Sequence, residues 1–318
     1  MRNYMNSLGK AGVPFLFIID FECRRPRVLP LCGIDSDEIK YNLRGITNVP
    51  PRSGKFRPPR LDAAPVSYEK YIEAFHRVTE SQRQGDSYLV NLTFPSLLLH
   101  EYNLGDIFYG SIAPYRLYYR GEFVVFSPET FVTIRNGIIS SFPMKGTIDA
   151  ALPKAVESLL NDEKERAEHL TIVDLLRNDL GMVARNVRVE RFMYTETIRT
   201  SGKNLIQASS EICGDLGDDY YERIGDIIWN LLPAGSVSGA PKKRTLEIIR
   251  DAEEYARGYY TGVFGVFDGE NLDSAVMIRF IERKDGRYYY RSGGGITVYS
   301  DPEREYRELI DKIYVPTG

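Results

Sequence analysis

Two pairs of glutamates have types and spacing that could support metal chemistry. Glu165 and Glu168 lie three residues apart in a segment with helical periodicity, and Glu305 and Glu308 repeat that spacing near the C-terminus. Residues at positions i and i+3 share one face of a helix. Two such faces brought together would form an acidic pocket that needs a cation, and carboxylates favour a hard cation such as Mg²⁺. A solvated charged face is the alternative for each pair.

A single lysine is a candidate nucleophile. Lys145 lies between Met144 and Gly146, at the predicted end of a hairpin strand. Those neighbours supply no countercharge, and partial burial lowers the pKa of an amine, which would favour its neutral, attacking form. A surface lysine whose ammonium group reaches water is the alternative.

Two glycine-rich segments could bind an anion. Residues 235–242 lead directly into a predicted helix, where free amide groups and the helix dipole favour negative charge, and Lys242 and Lys243 add charge. The spacing is not that of a P-loop. Residues 293–295 are three glycines that follow a predicted strand, where the backbone must bend or approach a ligand closely. An ordinary turn is the alternative for both segments.

Composition and charge exclude several classes of protein. The chain has 318 residues, of which 43% are hydrophobic and 27% charged, as in ordinary globular proteins. A net charge of -3 leaves no broad basic face, which argues against a nucleic acid partner. Three cysteines without a CxxC motif and three scattered histidines argue against a disulfide framework and a zinc site. Apolar runs are too short to span a membrane, and the N-terminus lacks a signal-peptide pattern. We therefore expect a cytoplasmic protein without membrane contact.

The pattern of elements predicts an α+β protein with large antiparallel sheets flanked by helices. Strand signals lie at 13–21 and 87–99, and Asn136-Gly137 predicts a hairpin between 131–135 and 138–142. Two further turn dipeptides, Asp268-Gly269 and Asp285-Gly286, predict a meander of three antiparallel strands over 261–292. Helices are predicted at 68–84, 153–180, 241–256 and 303–313.

A proline-rich segment divides the chain. Residues 48–65 contain five prolines with basic residues among them, a composition typical of a connector. We therefore predict a short N-terminal strand region with its linker over 1–65, and one larger domain over 66–318 that carries the candidate residues.

The motifs of the larger domain resemble those of the chorismate-utilising enzymes. This family includes aminodeoxychorismate synthase component I, anthranilate synthase component I, isochorismate synthase and salicylate synthase, and its fold is a large sandwich of antiparallel sheets with helices outside. The resemblance implies that residues 66–318 form a chorismate-binding catalytic domain. The matching motifs occur in family order: Ser127-Pro-Glu129, Pro143-Met-Lys-Gly-Thr147, Glu165-Arg-Ala-Glu-His169, residues 172–181, residues 235–242, Arg257-Gly-Tyr-Tyr260, Ile278-Arg279, Gly293-Gly-Gly-Ile296 and Asp301-Pro-Glu-Arg-Glu-Tyr306.

The resemblance also implies roles for individual residues. Glu168 and Glu308 would hold Mg²⁺, which would bind the ring carboxylate of chorismate, with Glu165 and Glu305 in support through water or hydrogen bonds. Glu129 resembles the general acid that protonates the departing C4 hydroxyl. The residues implied to receive the substrate carboxylates are Arg279, Tyr260, Lys312 and the backbone at Gly294 and Ser236.

Three positions bear on which branch of the family the chain resembles. Lys145 resembles the lysine with which aminodeoxychorismate synthases attack C2 of chorismate, where the other branches usually have alanine. Leu89 stands where water-using members carry a base lysine, and a leucine cannot activate water. Gln207 stands in place of a family histidine, and it can hydrogen-bond but cannot titrate.

The expected activity is therefore that of aminodeoxychorismate synthase component I, which makes 4-amino-4-deoxychorismate from chorismate and ammonia on the route to 4-aminobenzoate and folate. Ammonia would come from a separate glutamine amidotransferase subunit, because no glutaminase constellation of cysteine and histidine is visible. Anthranilate synthase component I and a non-catalytic chorismate-binding subunit are the alternatives.

Overall fold

The computed structural model describes residues 1–50, 60–199 and 204–317. The α-helices of these residues are α1 (Arg2–Lys10), α2 (Tyr68–Arg83), α3 (Leu104–Gly110), α4 (Ala155–Asn161), α5 (Glu163–Gly181), α6 (Ile224–Leu231), α7 (Gly235–Ser238), α8 (Lys242–Glu253) and α9 (Pro302–Asp311), and short 3-10 helices lie at Leu31–Gly33 and Tyr220–Arg223. The strands are β1 (Phe15–Ile19), β2 (Arg27–Pro30), β3 (Ile39–Leu43), β4 (Ile46–Thr47), β5 (Ala63–Ala64), β6 (Leu89–Leu98), β7 (Tyr115–Tyr119), β8 (Phe123–Ser127), β9 (Thr130–Arg135), β10 (Ile138–Ser141), β11 (Met144–Asp149), β12 (Arg185–Arg199), β13 (Asn204–Asp215), β14 (Gly239–Ala240), β15 (Val263–Phe267), β16 (Leu272–Val276), β17 (Phe280–Lys284) and β18 (Arg287–Ile296).

The strands form two nine-stranded sheets. The first has the order β11-β13-β10-β9-β16-β15-β1-β2, with β12 also paired to β13. The second has the order β14-β6-β18-β17-β8-β7-β3-β4, with β5 also paired to β6. Neighbouring strands run antiparallel, as in the pairs of β1 with β15 and of β6 with β18. The predicted α+β fold with large antiparallel sheets is confirmed.

Strand β1 shows why the sheets form a sandwich. All five of its residues are buried. Leu16 and Ile18 contribute to a core shared with strands of the second sheet, whereas Phe15, Phe17 and Ile19 contribute to a core shared with α1, α5 and α6. Successive side chains of a strand point to opposite faces, so a strand covered on both faces is apolar throughout. The first sheet therefore lies between the second sheet and a layer of helices.

Helices also cover the outer face of the second sheet. Tyr71 of α2, Ile248 of α8 and Leu309 of α9 share one core with Val90 of β6. This arrangement brings α9, which carries one of the two glutamate pairs, close to β18, which contains the three consecutive glycines.

The hairpin predicted at Asn136-Gly137 is confirmed. β9 and β10 pair directly across these two residues. Asn136 has a φ of +51° and Gly137 a φ of +75°, the left-handed conformations that a two-residue turn of this kind requires.

The predicted three-stranded meander over 261–292 is wrong. β15 pairs with β16 in the first sheet, whereas β17 pairs with β18 in the second. The chain crosses from one sheet to the other after β16, and Arg279 lies in this crossing with a φ of +53°. A left-handed residue interrupts an extended strand. The crossing therefore places Arg279 between the sheets.

The single helix predicted over 153–180 is also wrong, because the chain forms α4 and α5 instead. Asp162 separates them, and its side chain accepts a hydrogen bond from the backbone N–H of Glu165 at 3.0 Å. This bond is the usual start of a new helix. The helices predicted at 68–84, 241–256 and 303–313 are confirmed close to their predicted bounds as α2, α8 and α9.

Strands that precede residue 65 belong to both sheets. β1 and β2 pair within the first sheet, and β3 and β4 pair within the second. The division into 1–65 and 66–318 stays a prediction, and residues 51–59 of the predicted linker lie outside the described residues. In the part of the chain that the structure describes, every helix is too short or too polar to cross a membrane.

Candidate active site

A cavity of about 340 Å³ lies where the two sheets meet α5, α7 and α9. It gathers most of the residues predicted from the sequence. Those that line it are Glu129, Lys145, Ser236, Tyr260, Arg279, Gly294, Glu308 and Lys312. The remaining three, Glu165, Glu168 and Glu305, lie beside this lining. Glu165 Oε2 lies 3.0 Å from the position of a Cβ atom on Gly146, Glu168 pairs with Lys145, and Glu305 lies next to Gly294.

Lys145 lies on β11, not at the end of the hairpin strand as predicted. The pairing of β11 with β13 is irregular between Lys145 and Thr147. Gly146, inside this irregularity, has a φ of +77°. A bulge breaks the regular alternation of side chains and redirects them. Lys145 reaches the cavity, and its Nζ lies 3.7 Å from the position that a Cβ atom on Gly295 would take.

The countercharge of Lys145 comes from another element. Its Nζ lies 3.2 Å from Oε2 of Glu168 on α5, and the two side chains are 31% and 26% exposed. The sequence neighbours of Lys145 add no countercharge, as predicted, but Glu168 supplies one from α5. The adjacent residues Met144 and Gly146 could not reveal this ion pair, because it is made across the fold.

A second lysine forms a similar pair on α9. Lys312 Nζ lies 2.7 Å from Oε1 of Glu308 and donates a hydrogen bond to the carbonyl of Gly293 at 2.8 Å. Burial lowers the pKa of Lys312, and the Glu308 carboxylate opposes that effect. Burial raises the pKa of Glu305, and the like charges of Glu308 and Glu168 act in the same direction. These acidic groups therefore share one electrostatic environment.

The three glycines lie inside β18 and do not form a turn. They pair with residues 91–93 of β6, so the predicted bend is wrong. Because they lack side chains, neighbouring groups can lie close to the backbone of β18. A Cβ atom on Gly293 would lie 2.5 Å from a Thr93 side-chain carbon. A Cβ atom on Gly294 would lie 3.6 Å from Glu305 Oε2 and 3.8 Å from Lys312 Nζ. Side chains here would fill the space beside both lysines.

Glu129 has the environment of a proton donor. Burial raises its pKa, against the hydrogen bond from Ser236 and the positive charges of Lys145, Lys312 and Arg279. Ser236 Oγ donates that hydrogen bond to Oε1 of Glu129. A carboxyl group with a raised pKa beside a cavity can deliver a proton to a leaving group. Ser236 thus contributes a side-chain contact that the sequence did not predict.

The segment 235–242 does not run directly into a helix as predicted. It forms the single turn α7 and the short strand β14 before α8 begins. Lys242 Nζ lies 3.0 Å from Asp179 Oδ1 and donates to the carbonyl of Leu231 at 3.1 Å. Lys242 therefore ties α8 to the end of α5, and the expectation that it adds charge to an anion site is wrong.

Arg279 and Tyr260 present polar groups to the cavity. Arg279 Nη1 donates to the carbonyl of Lys312 at 3.2 Å, and its guanidinium lies 4.9 Å from the centre of the Tyr314 ring. No carboxylate among the described residues forms an ion pair with Arg279, which leaves its charge for a ligand. Burial raises the pKa of Tyr260, so its phenol stays neutral and can donate a hydrogen bond.

A buried ion pair behind the cavity was not predicted. Arg257 and Glu253 have side chains only 1% and 0% exposed. Arg257 donates to the carbonyls of Val237 on α7 at 2.7 Å and Asn91 on β6 at 2.5 Å. Glu253 accepts from the backbone N–H of Thr93 at 2.9 Å. The motif 257–260 draws attention to Arg257, but no sequence signal shows which carboxylate and carbonyls it joins.

Comparison with known proteins now identifies the family. Residues 34–318 match the family described as chorismate binding enzyme. The chain belongs to this family. The predicted resemblance is therefore confirmed at the level of the family.

Relatives of this chorismate binding enzyme carry more than one activity in their names. The chain is 50% identical over 314 residues to an uncharacterised PabA-like protein of Pasteurella multocida, covering 98% of this chain and 97% of that protein. It is 34% identical over 274 residues to aminodeoxychorismate synthase component 1 of Bacillus subtilis, covering 79% of this chain and 56% of that protein. The crystal structure of anthranilate synthase component I from Streptococcus pneumoniae matches with a TM-score of 0.68 and 30% identity, covering 81% of this chain and 59% of that one.

The acidic groups of this chorismate binding enzyme have the donor chemistry that Mg²⁺ prefers, because carboxylate oxygens are hard ligands. Among residues 1–50, 60–199 and 204–317, no three His, Cys, Asp or Glu side chains converge closely enough to hold a metal. Instead, the ammonium group of Lys145 pairs with the Glu168 carboxylate, and that of Lys312 pairs with the Glu308 carboxylate. The assignment of Mg²⁺ stays a prediction.

Two positions predicted to depart from the family pattern also line the cavity. Leu89 and Gln207 both line it. Leu89 is buried, and its Cδ1 lies 3.1 Å from the position of a Cβ atom on Gly295. The wall near Lys145 therefore carries an apolar group, which cannot activate water.

Proposed function

We propose that this chorismate binding enzyme is aminodeoxychorismate synthase component I, which replaces the C4 hydroxyl of chorismate with an amino group from ammonia. The position of Lys145 carries the proposal. Its amine lies in the cavity beside the glycine strand, so the nucleophile is already close to the space that the substrate would occupy. The 34% identity to the Bacillus subtilis aminodeoxychorismate synthase component 1 supports the same activity.

The reaction would proceed in two displacements. The Lys145 amine forms a bond to C2 of chorismate while the C4–O bond breaks, and the double bonds of the ring shift between these atoms. Glu129 gives its proton to the departing hydroxyl, which leaves as water. Ammonia then forms a bond to C4 and the C2–N bond to Lys145 breaks. The ammonium group at C4 returns a proton to Glu129, so that both the lysine and the acid are regenerated.

Cationic and neutral donors would orient the substrate. Chorismate carries two carboxylates, and Arg279 has no carboxylate partner among the described residues. A planar guanidinium can bind a carboxylate through two parallel hydrogen bonds. Tyr260, Lys312 and the backbone at Gly294 line the same cavity and would complete the binding of the two carboxylates.

A metal ion would be held by Glu168 and Glu308, with Glu165 and Glu305 in support. Mg²⁺, when bound, would neutralise the ring carboxylate of the substrate. These residues would therefore fix the substrate's orientation relative to Lys145 and Glu129.

Ammonia would come from a glutamine amidotransferase subunit. This partner is part of the proposal, carried by the resemblance to aminodeoxychorismate synthases. The isolated chain should then use ammonium salts, and glutamine alone should not support turnover. Addition of a glutamine amidotransferase subunit should restore use of glutamine.

Product analysis tests the proposed function. The purified chain is incubated with chorismate, Mg²⁺ and ammonium, and the products are separated by chromatography and identified by mass spectrometry. Aminodeoxychorismate supports the proposal, whereas anthranilate or isochorismate would assign the chain to another branch. Unchanged chorismate, with binding detected by calorimetry, would instead support a non-catalytic chorismate-binding subunit.

A further inference from the structure

We propose that Lys145 and Lys312 are internal counter-cations that a divalent cation displaces from Glu168 and Glu308, so that cation binding and release of the two lysines are one exchange. The inference rests on the proposed function, because it concerns the glutamates assigned there as metal ligands. It adds a second role for both lysines, before any contact with substrate.

The contacts place both lysines on the proposed ligands. Lys145 lies 3.2 Å from Glu168, and Lys312 lies 2.7 Å from Glu308. The two pairs involve three elements, since Lys145 lies on β11, Glu168 lies on α5, and Glu308 lies on α9 with Lys312 directly after it. Lys145 is also within electrostatic range of Glu305 and Glu308. One ammonium group therefore acts on three of the four glutamates.

Both lysines also lie beside the same stretch of β18. A Cβ atom on Gly294 would lie 3.8 Å from Lys312 Nζ, and one on Gly295 would lie 3.7 Å from Lys145 Nζ. These glycines leave open space next to each ammonium group. A lysine displaced from its glutamate can therefore move within the cavity without a clash against this strand.

The pairs have the properties of exchangeable contacts. Their side chains are between 26% and 52% exposed. Ion pairs that reach solvent contribute little to stability. A lysine ammonium is a compact charge on a flexible stem, so it can leave a carboxylate without disturbing the fold. A divalent cation offers each carboxylate a stronger partner.

The charges involved predict that the exchange couples cation binding to substrate binding. Two ammonium groups carry the same total charge as one divalent cation, so the exchange leaves the acidic pocket neutralised to the same extent. Lys312, released from Glu308, then offers its charge to a carboxylate of chorismate, and Lys145, released from Glu168, loses the carboxylate that favours its protonated form and can act as the neutral amine. The cation and the substrate should therefore bind with positive coupling, which must be reciprocal.

Direct binding of Mn²⁺ tests the exchange without any turnover. The affinity of the chain for Mn²⁺ alone is measured by electron paramagnetic resonance for the wild type and for Lys145→Met and Lys312→Met, with circular dichroism to confirm folding. Removing a competing lysine should tighten Mn²⁺ binding about three- to tenfold in each variant. Competition with Mg²⁺ should show the same shift.

Arg304→Met is the matched control. Arg304 is exposed and within electrostatic range of Glu308, and it forms no ion pair with a carboxylate among the described residues. Its removal takes away one nearby positive charge without breaking a contact, so the affinity for Mn²⁺ should change less than about twofold. A gain in Arg304→Met equal to that in the lysine variants would overturn the exchange in favour of a general field effect.

Two other results would also overturn the inference. They are unchanged or weaker Mn²⁺ binding in both lysine variants, and absence of Mn²⁺ binding in every protein. Formation of aminodeoxychorismate is measured on the same wild-type preparation. Product formation with a failed exchange would leave the proposed function standing, whereas tighter Mn²⁺ binding without this product would leave the exchange standing alone.

Discussion

Two sets of ion pairs lie beside the cavity. They differ in how far their side chains are exposed and in the cation that each contains. The Arg257–Glu253 pair is 1% and 0% exposed, and its guanidinium also bonds two backbone carbonyls. The Lys145–Glu168 pair is 31% and 26% exposed, and Lys145 Nζ lies 3.2 Å from Glu168 Oε2. Arginine offers a rigid fork of donors, whereas lysine offers one mobile charge.

This difference divides the work of the site between two regions. The buried pair joins α7 and β6, so it holds the segment that carries Ser236 against the strand that faces the three glycines. The lysine pairs lie at the cavity that the proposed function assigns to the substrate. We infer that the arginine pair fixes the cavity wall, and that the lysine pairs are the part that changes partners. The following predictions test that division.

The largest effect is expected from Lys145→Ala. Loss of the nucleophile should lower ammonia-dependent turnover by about 10³-fold or more. In the wild-type chain, withholding ammonia should let a covalent adduct of the chorismate ring accumulate, and intact-mass spectrometry with peptide mapping should place it on Lys145. The variant should form no adduct.

Lys145→Arg is the control for charge. It keeps the positive charge beside Glu168 but lacks a nucleophilic amine, because a guanidinium stays protonated. It should therefore be as inactive as Lys145→Ala while keeping the thermal stability of the wild type. Normal turnover by Lys145→Ala would contradict both the covalent route and the choice of this branch of the family.

The second effect tests the permanent pair. Arg257→Met should lower the free energy of unfolding by about 3–5 kcal/mol, because it leaves the Glu253 charge buried without a partner. Denaturant titration followed by circular dichroism measures the change. Arg77→Met is the matched control, since Arg77 pairs with Glu254 one position beyond α8 but is 49% exposed. Its loss should leave the free energy of unfolding nearly unchanged, because exposed ion pairs contribute little to stability. Similar losses in the two variants would remove the distinction between buried and exposed pairs.

The third effect joins the two regions through Glu129. Glu129→Gln keeps an acceptor for the Ser236 hydroxyl but cannot donate the same proton, so kcat should fall about 10²-fold. KM should change little, because Glu129 is not assigned to the substrate carboxylates. Ser236→Ala, which keeps the carboxyl group, should have a smaller effect. A large rise in KM with unchanged kcat would instead make Glu129 a binding residue.

The sequence was informative where contacts are local or where motifs are specific. The turn at Asn136-Gly137 depends on two adjacent residues with left-handed conformations, so it could be predicted from the sequence. The apolar run at 13–21 likewise predicted a buried strand, and all five residues of β1 are buried. The family resemblance brought Glu129, Lys145 and Lys312 into one site, and all three line the cavity.

The sequence failed where the decisive contact lies far along the chain. The turn signals over 261–292 are present, but the choice of sheet for β17 depends on its pairing with β8 and β18. Lys242 looks free in sequence, yet it binds Asp179 on α5. Lys145 likewise pairs with Glu168, which lies on a different element, α5. Local patterns cannot show such partners, because the fold alone brings them together.

The smallest effect concerns the pH dependence of stability, and it compares a buried glutamate with an exposed one. Burial raises the pKa of Glu129 above the ordinary value of a glutamate. At low pH both the folded and unfolded chains hold the proton. As the pH rises, the unfolded chain loses the proton first, so the stability of the folded chain falls until the pH passes the raised pKa. Glu129→Gln lacks this loss, and its stability relative to the wild type should therefore increase between pH 4 and pH 8. Glu73→Gln, at an exposed position of α2, is the control for removal of a carboxylate. Thermal unfolding of the three proteins across this range measures the difference. A constant difference between Glu129→Gln and the wild type would mean that the carboxyl group of Glu129 is solvated in the folded chain, and its role as a proton donor would lose its physical basis.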